Sequence, residues 1–237
     1  MTVPLSVNKI SKSFDKKEIL SDISLDINKG EIFGLIGLNG IGKTTLMKII
    51  LGLLKQDNGK VEIFGKDIQK PKNRFNINFL PEKFHPSPFL KGREFLELSL
   101  SYYGMKYSHD DAEIFAKKLD LDPDALALKI TKYSKGMQQK LGLLSSFLIN
   151  SPLLMLDEPM SGLDPKARIN LKDNMSSYIK SGNSIFFSSH ILSDIDEICD
   201  RVAILHDRKI VFLGKPEEFK KKYKNDNLER AFLKAIS

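Results

Sequence analysis

The feature that most constrains this chain is a run of 13 residues. Ile32-Phe-Gly-Leu-Ile36 is apolar throughout, and it leads directly into Gly37-Leu-Asn-Gly-Ile-Gly42-Lys43-Thr44. The second part fits the pattern G-x-x-x-x-G-K-[ST], in which glycines let backbone N–H groups converge without Cβ obstruction. An apolar β-branched run before it reads as a buried strand, and the residues from Lys43 to about Leu51 read as a helix. Strand, turn and helix in that order place the positive end of a helix dipole against whatever the turn encloses. Lys43 adds an ammonium suited to β and γ phosphates, and the Thr44 hydroxyl suits Mg²⁺. Gly37, Leu38, Asn39, Gly40, Ile41, Gly42 and Thr45 complete a candidate nucleotide cradle.

Further strand-like runs at Leu153–Leu156 and Ser184–Ser188 are each followed by a helical stretch, which predicts an α/β fold with a mostly parallel sheet. Leu5–Ile10 and Ile19–Ile27 alternate apolar and polar residues, as half-exposed antiparallel strands do. From about residue 84 to 150 the strand signal fades. Helices are expected over Gly92–Tyr103, over Ser108–Leu119 with Ser108 or Asp110 as cap, and over Gly136–Asn150. That block reads as a helical subdomain inserted into the sheet domain, and about 215–237 as a helical tail. A length of 237 residues suits one domain spanning 1–237.

A second chemical signal follows the Leu153 run, which ends in Asp157-Glu158-Pro159. A buried strand delivers charge at its carboxyl end, where open α/β sheets bind ligands. Asp157 suits a Mg²⁺ shell, and Glu158 suits a general base acting on an attacking water.

The motifs then converge. Tyr133-Ser-Lys-Gly-Met-Gln-Gln-Lys-Leu141 closely resembles the signature motif of the ABC ATPases. Ile10-Ser-Lys-Ser-Phe14 resembles the family's adenine-stacking loop, and Phe79-Leu-Pro-Glu82 its Q-loop, with glutamate where glutamine is usual. Ser161-Gly-Leu-Asp164 resembles the D-loop, and Ser188-Ser-His190 the switch-histidine loop. The resemblance covers nearly the whole chain. It implies a P-loop ATPase with a mostly parallel sheet core, an N-terminal antiparallel β subdomain and an inserted helical subdomain. It also implies ATP and Mg²⁺ as ligands, Phe14 against adenine, Glu82 near the metal, and Glu158 and His190 as catalytic groups. Ser134, Gly136 and Asp164 would act on the nucleotide of a second subunit in a head-to-tail homodimer. Lys135 and Met137 depart from the usual signature, and Leu38 and Ile41 from the usual phosphate loop.

Composition sets the partners in context. Lysine and arginine total 37 against 30 acids, and the resulting +7 suits anionic partners without choosing among them. The single cysteine, Cys199, excludes an internal disulfide and reads as a small buried hydrophobe. The most apolar stretch, Leu141–Leu156, is interrupted by Ser145, Ser146, Asn150 and Pro152, whereas a span needs about 20 mainly apolar residues. The resemblance therefore implies a peripheral protein on the cytoplasmic face of the cell membrane, docked on a separate transmembrane permease. The contact would lie around Phe84–Arg93, with His85, Pro86, Pro88 and Phe89. The signature variant and the Asn227–Lys234 segment resemble those of exporters. The alternative is a soluble ABC ATPase that drives assembly of another complex, such as iron–sulfur cluster machinery. Nucleic acid is not an expected partner.

Overall fold

A computed structural model describes residues 3–236. The chain opens with a long antiparallel pair, β1 (Leu5–Phe14) and β2 (Lys17–Ile27), and then enters β3 (Ile32–Ile36) and α1 (Lys43–Ile50). Strands β4 (Asn58–Ile63) and β5 (Lys66–Asp67) return to β1, completing an antiparallel sheet of order β2-β1-β4-β5. Next come β6 (Ile77–Leu80) and three helices, α2 (Gly92–Ser101), α3 (His109–Lys118) and α4 (Lys135–Ile149). Strand β7 (Leu153–Asp157), α5 (Pro165–Lys180), β8 (Ser184–Ser189) and α6 (Leu192–Ile198) follow. The chain ends with β9 (Arg201–His206), β10 (Lys209–Gly214), α7 (Pro216–Lys222) and α8 (Leu228–Ile236).

The second sheet has the order β10-β9-β3-β8-β7-β6, parallel except for the edge pair β9–β10. Its central strands β3, β7 and β8 are buried along their whole length because both faces are covered, and they are apolar except for the serines of β8 and Asp157 at the end of β7. Successive side chains alternate between the two faces. Ile32, Ile36, Leu154, Leu156, Ile185 and Phe187 pack with α4, α5 and the C-terminal helices. Phe33, Leu35, Leu153, Met155 and Phe186 pack with α1 and the antiparallel sheet. One parallel sheet thus separates two cores and holds its carboxyl ends in a single row. The fold class is as the sequence predicts.

Local chemistry sets the helix ends. Ser108 is the residue that caps α3, its hydroxyl accepting from the Asp111 N–H, while Asp110 lies in the first turn. Ser134 caps α4 by accepting from the Met137 N–H, and α4 stops where Asn150 adopts a left-handed φ of 50°. In β3 a side chain at Gly34 would meet the Cys199 sulfur at 2.8 Å. Cys199 is partly covered as a residue, but its thiol points inward and burial pushes its pKa up. Among the described residues, no helix is long and apolar enough to cross a membrane.

Tyr133, just before α4, is buried and donates its hydroxyl to the Ala125 carbonyl at 2.7 Å. Burial pushes its pKa up to about 12. This contact ties the start of α4 to the loop that packs against α2. Tyr133→Phe removes this buried hydrogen bond while the Ala125 carbonyl keeps the Leu128 N–H at 2.8 Å, so the cost is that of one hydrogen bond, roughly 0.5–1.5 kcal/mol. The urea midpoint should fall accordingly with an unchanged slope. An unchanged midpoint would show that this hydroxyl does not anchor the segment.

Candidate nucleotide site

Four neighbouring parallel strands deliver the site. The phosphate-type loop leaves β3, His190 leaves β8, Asp157 and Glu158 stand at the end of β7, and Glu82 follows β6. Registers Leu35↔Ser188 and Asp157↔Ser188 place these ends side by side. They border one cleft of about 320 Å³, walled on the far side by Phe14 and Ile19 of the antiparallel sheet.

The loop is built for an anion. Gly40 and Gly42 have φ of 78° and 117°, values that side chains disfavour. Gly42 is the N-cap of α1, no side chain caps it, and no acid lies in the first turn. The N–H groups that open the helix therefore face the cleft without a competing side-chain acceptor. Leu38, Asn39, Gly40, Gly42, Lys43, Thr44 and Thr45 all border the cleft. Gly37 and Ile41 do not: the Gly37 carbonyl accepts from the Lys43 ammonium at 2.7 Å, and Ile41 packs its side chain toward the core. Lys43 also reaches the Leu38 carbonyl at 3.4 Å.

The carboxylates are buried and differently partnered. Asp157, only 2% exposed, accepts from the Thr44 hydroxyl at 3.0 Å and from the Ser188 hydroxyl at 2.5 Å. Glu158 has a left-handed φ of 50°, held by its own N–H donating to the Ser188 hydroxyl at 3.0 Å. That backbone turns the glutamate into the cleft beside the lysine and the histidine. Its Oε2 accepts from the His190 N–H at 3.2 Å and lies 2.8 Å from His190 Nδ1. A carboxylate makes such a contact only with a protonated ring nitrogen. Its Oε1 has no hydrogen-bond donor, although the Lys43 ammonium stands 3.4 Å away as an ion pair. Oε1 is therefore the carboxylate oxygen left open to a further donor in the cleft.

The donor set also suits a hard cation. Thr44, Asp157 and Glu82 all line the cleft, Thr44 and Asp157 in direct contact, and Mg²⁺ takes oxygen ligands of this kind. Three predicted residues lie elsewhere. Ser134 and Gly136 belong to the start of α4, and Asp164 caps α5 by accepting from the Ala167 N–H at 2.9 Å. None borders this cleft, although Gly136 comes near the Gly162 carbonyl. Sequence reasoning assigned no role to Ser188, whose hydroxyl bridges Asp157 and the Glu158 backbone. It also missed Ile19, a wall residue. No local signal marked the role of Ser188, which depends on β8 lying beside β7, and nothing in the alternation of β2 distinguished Ile19.

Comparison with known proteins points to one family. A family profile described as ABC transporter matches residues 20–161, more than half of the chain. An uncharacterized ABC transporter ATP-binding protein of Nostoc sp., all4389, is 38% identical over 203 residues. That match takes in 84% of this chain but only 60% of the relative, so the chain spans about three fifths of that protein's length. The daunorubicin resistance ATP-binding protein DrrA3 of Streptomyces coeruleorubidus is 28% identical over 229 residues, 95% of this chain and 72% of the relative. A solved structure described as the ATP binding subunit of an ABC transporter superposes with a TM-score of 0.90 at 29% identity, covering 99% of each chain. By its profile match, its fold and the motifs gathered at the ends of its parallel strands, the chain belongs to the ABC transporter family.

Proposed function

We propose that this chain is the ATP-binding and ATP-hydrolysing subunit of an ABC membrane transporter. The observation that carries the reading is Glu158, buried between Lys43 at 3.4 Å and His190 at 2.8 Å, with one carboxylate oxygen free of any donor. A triphosphate in the loop offers the Lys43 ammonium stronger partners than the Gly37 and Leu38 carbonyls. Glu158 then takes the proton of an attacking water through Oε1, while His190 holds Oε2 and fixes the carboxylate's direction. Thr44, Asp157 and Glu82 are the residues that would hold Mg²⁺, which neutralises charge on the phosphates when bound. Phe14 offers its ring to the adenine, and Leu38, Asn39, Gly40, Gly42 and Thr45 surround the phosphates.

Ser134, Gly136 and Asp164 stand apart from the cleft of their own chain. This supports a head-to-tail homodimer in which they meet the nucleotide of the second copy. Residues 84–150 act as a helical subdomain of one ATPase domain over 1–237, and about 215–237 as a packed tail. A separate permease docks near Phe84–Arg93, where Phe89 is 83% exposed, and holds the subunit at the cytoplasmic face of the membrane. The relative named for daunorubicin resistance supports an export direction.

Lys43→Ala should weaken ATP binding at least about tenfold in calorimetry, the factor that matches loss of a charge-assisted hydrogen bond. Wild-type affinity in that variant would contradict the phosphate-loop role. Glu158→Gln should keep ATP affinity but lower steady-state phosphate release by about a hundredfold or more, the scale of a general base. The same variant should accumulate an ATP-bound dimer in sedimentation. Undiminished release would remove Glu158 from the catalytic step.

A further inference from the structure

Phe14 ends β1 with its ring 44% exposed on the wall of the cleft, yet nothing in the core grips it. Its surroundings are ionic. The Lys12 ammonium lies 5.5 Å from the Phe14 ring centroid, at the distance of a cation–π contact. Lys12 is itself largely buried, its side chain 14% exposed, and it donates to the Asp57 carboxylate at 2.7 Å. The other oxygen of Asp57 accepts from the Ser13 N–H at 2.6 Å, and the Asp57 N–H donates to the Ser11 carbonyl at 2.9 Å. Asp57 immediately precedes β4, so a residue of the neighbouring strand grips three consecutive residues of β1 just before Phe14. The pairing of β1 with β2 shifts register between Ile10 and Lys12 and again between Lys12 and Ser13. The bulged strand still pairs at Phe14↔Lys17, and Asp57 adds a second hold on it from the β4 side.

We propose that Lys12 and Asp57 are a positioning pair for Phe14, backing the ring with a fixed cation so that it is offered to the nucleotide base at little ordering cost. The inference rests on the nucleotide reading above and adds to it two residues that no phosphate-binding pattern contains. Stacking on an exposed ring gains little if the ring must first be ordered, and a pre-placed ring avoids that loss. The ammonium over the ring also draws on its π electrons, which suits contact with an electron-rich purine. The Lys12 ammonium and the Ser13 N–H hold the Asp57 carboxyl below the usual carboxylate range, so Asp57 remains ionised at neutral pH.

The test compares ATP with inorganic tripolyphosphate, which has the phosphates and no base. Both are titrated calorimetrically into the full chain and its Lys12→Met, Lys12→Arg and Asp57→Ala variants. Lys12→Met and Asp57→Ala should weaken ATP about three- to tenfold while changing tripolyphosphate affinity by less than about twofold, the range of a cation–π contact and its ordering. Lys12→Arg should restore ATP affinity. Equal weakening of both ligands would overturn the proposal in favour of a general charge effect. Unchanged ATP affinity in both loss variants would overturn it outright. Should Asp57→Ala fail to fold, Lys12→Met alone decides between these results. Failure of the unaltered chain to bind ATP would instead overturn the nucleotide reading, and this inference with it.

Discussion

A carboxylate taken out of water has to be given hydrogen bonds or lose its charge. Asp157 stands at the end of a strand apolar on both faces, 2% exposed, and it obtains its donors from Thr44 and Ser188. Those two hydroxyls belong to α1 and β8, so one buried acid joins three elements that are far apart in sequence. The parallel pairing of β3, β8 and β7 makes this possible, because it brings their carboxyl ends to one level. Remove that alignment and the glycine loop has no carboxylate opposite it.

The same junction sets up the neighbour. Ser188 accepts from the Glu158 N–H with the hydroxyl it uses to donate to Asp157. Glu158 is thereby held in a backbone conformation that costs a non-glycine residue of order 1–3 kcal/mol. Strain of this kind persists only where surrounding contacts fix it. Here it turns the glutamate toward Lys43 and His190. Two adjacent acids consequently have different environments: Asp157 has both oxygens hydrogen-bonded, and Glu158 has one oxygen without a donor. The difference in partners, more than the acids themselves, is what lets one suit a cation and the other a proton.

Much of this was legible in the sequence because the relevant signals are local. Ile32–Ile36 reads as a buried strand from five apolar residues, and its bounds coincide with β3. The helix after Lys43 and the capping of α3 by Ser108 follow from spacing and turn chemistry over a few residues. The β9–β10 hairpin was harder to see, since its turn uses Asp207 and Arg208 in left-handed conformations without a glycine to mark it. The motifs brought Glu158 and His190 together, but the long-range contacts that brace the site were not legible. Ser188 lies 31 residues from Asp157, and Asp57 lies 45 from Lys12, and no periodicity links either pair. Such contacts depend on which strands become neighbours, which is a property of topology and not of any window of sequence.

The central claim is that one loop and the ends of three strands form a triphosphate site facing an aromatic wall. It is tested most directly by a crystal structure of the chain with Mg²⁺ and a slowly hydrolysed ATP analogue. The account predicts phosphates enclosed by Gly40–Thr45, the Lys43 ammonium moved from the Gly37 carbonyl to phosphate oxygens, and the adenine against Phe14. A nucleotide bound elsewhere, or one bound here with Lys43 still on its own loop, would contradict it.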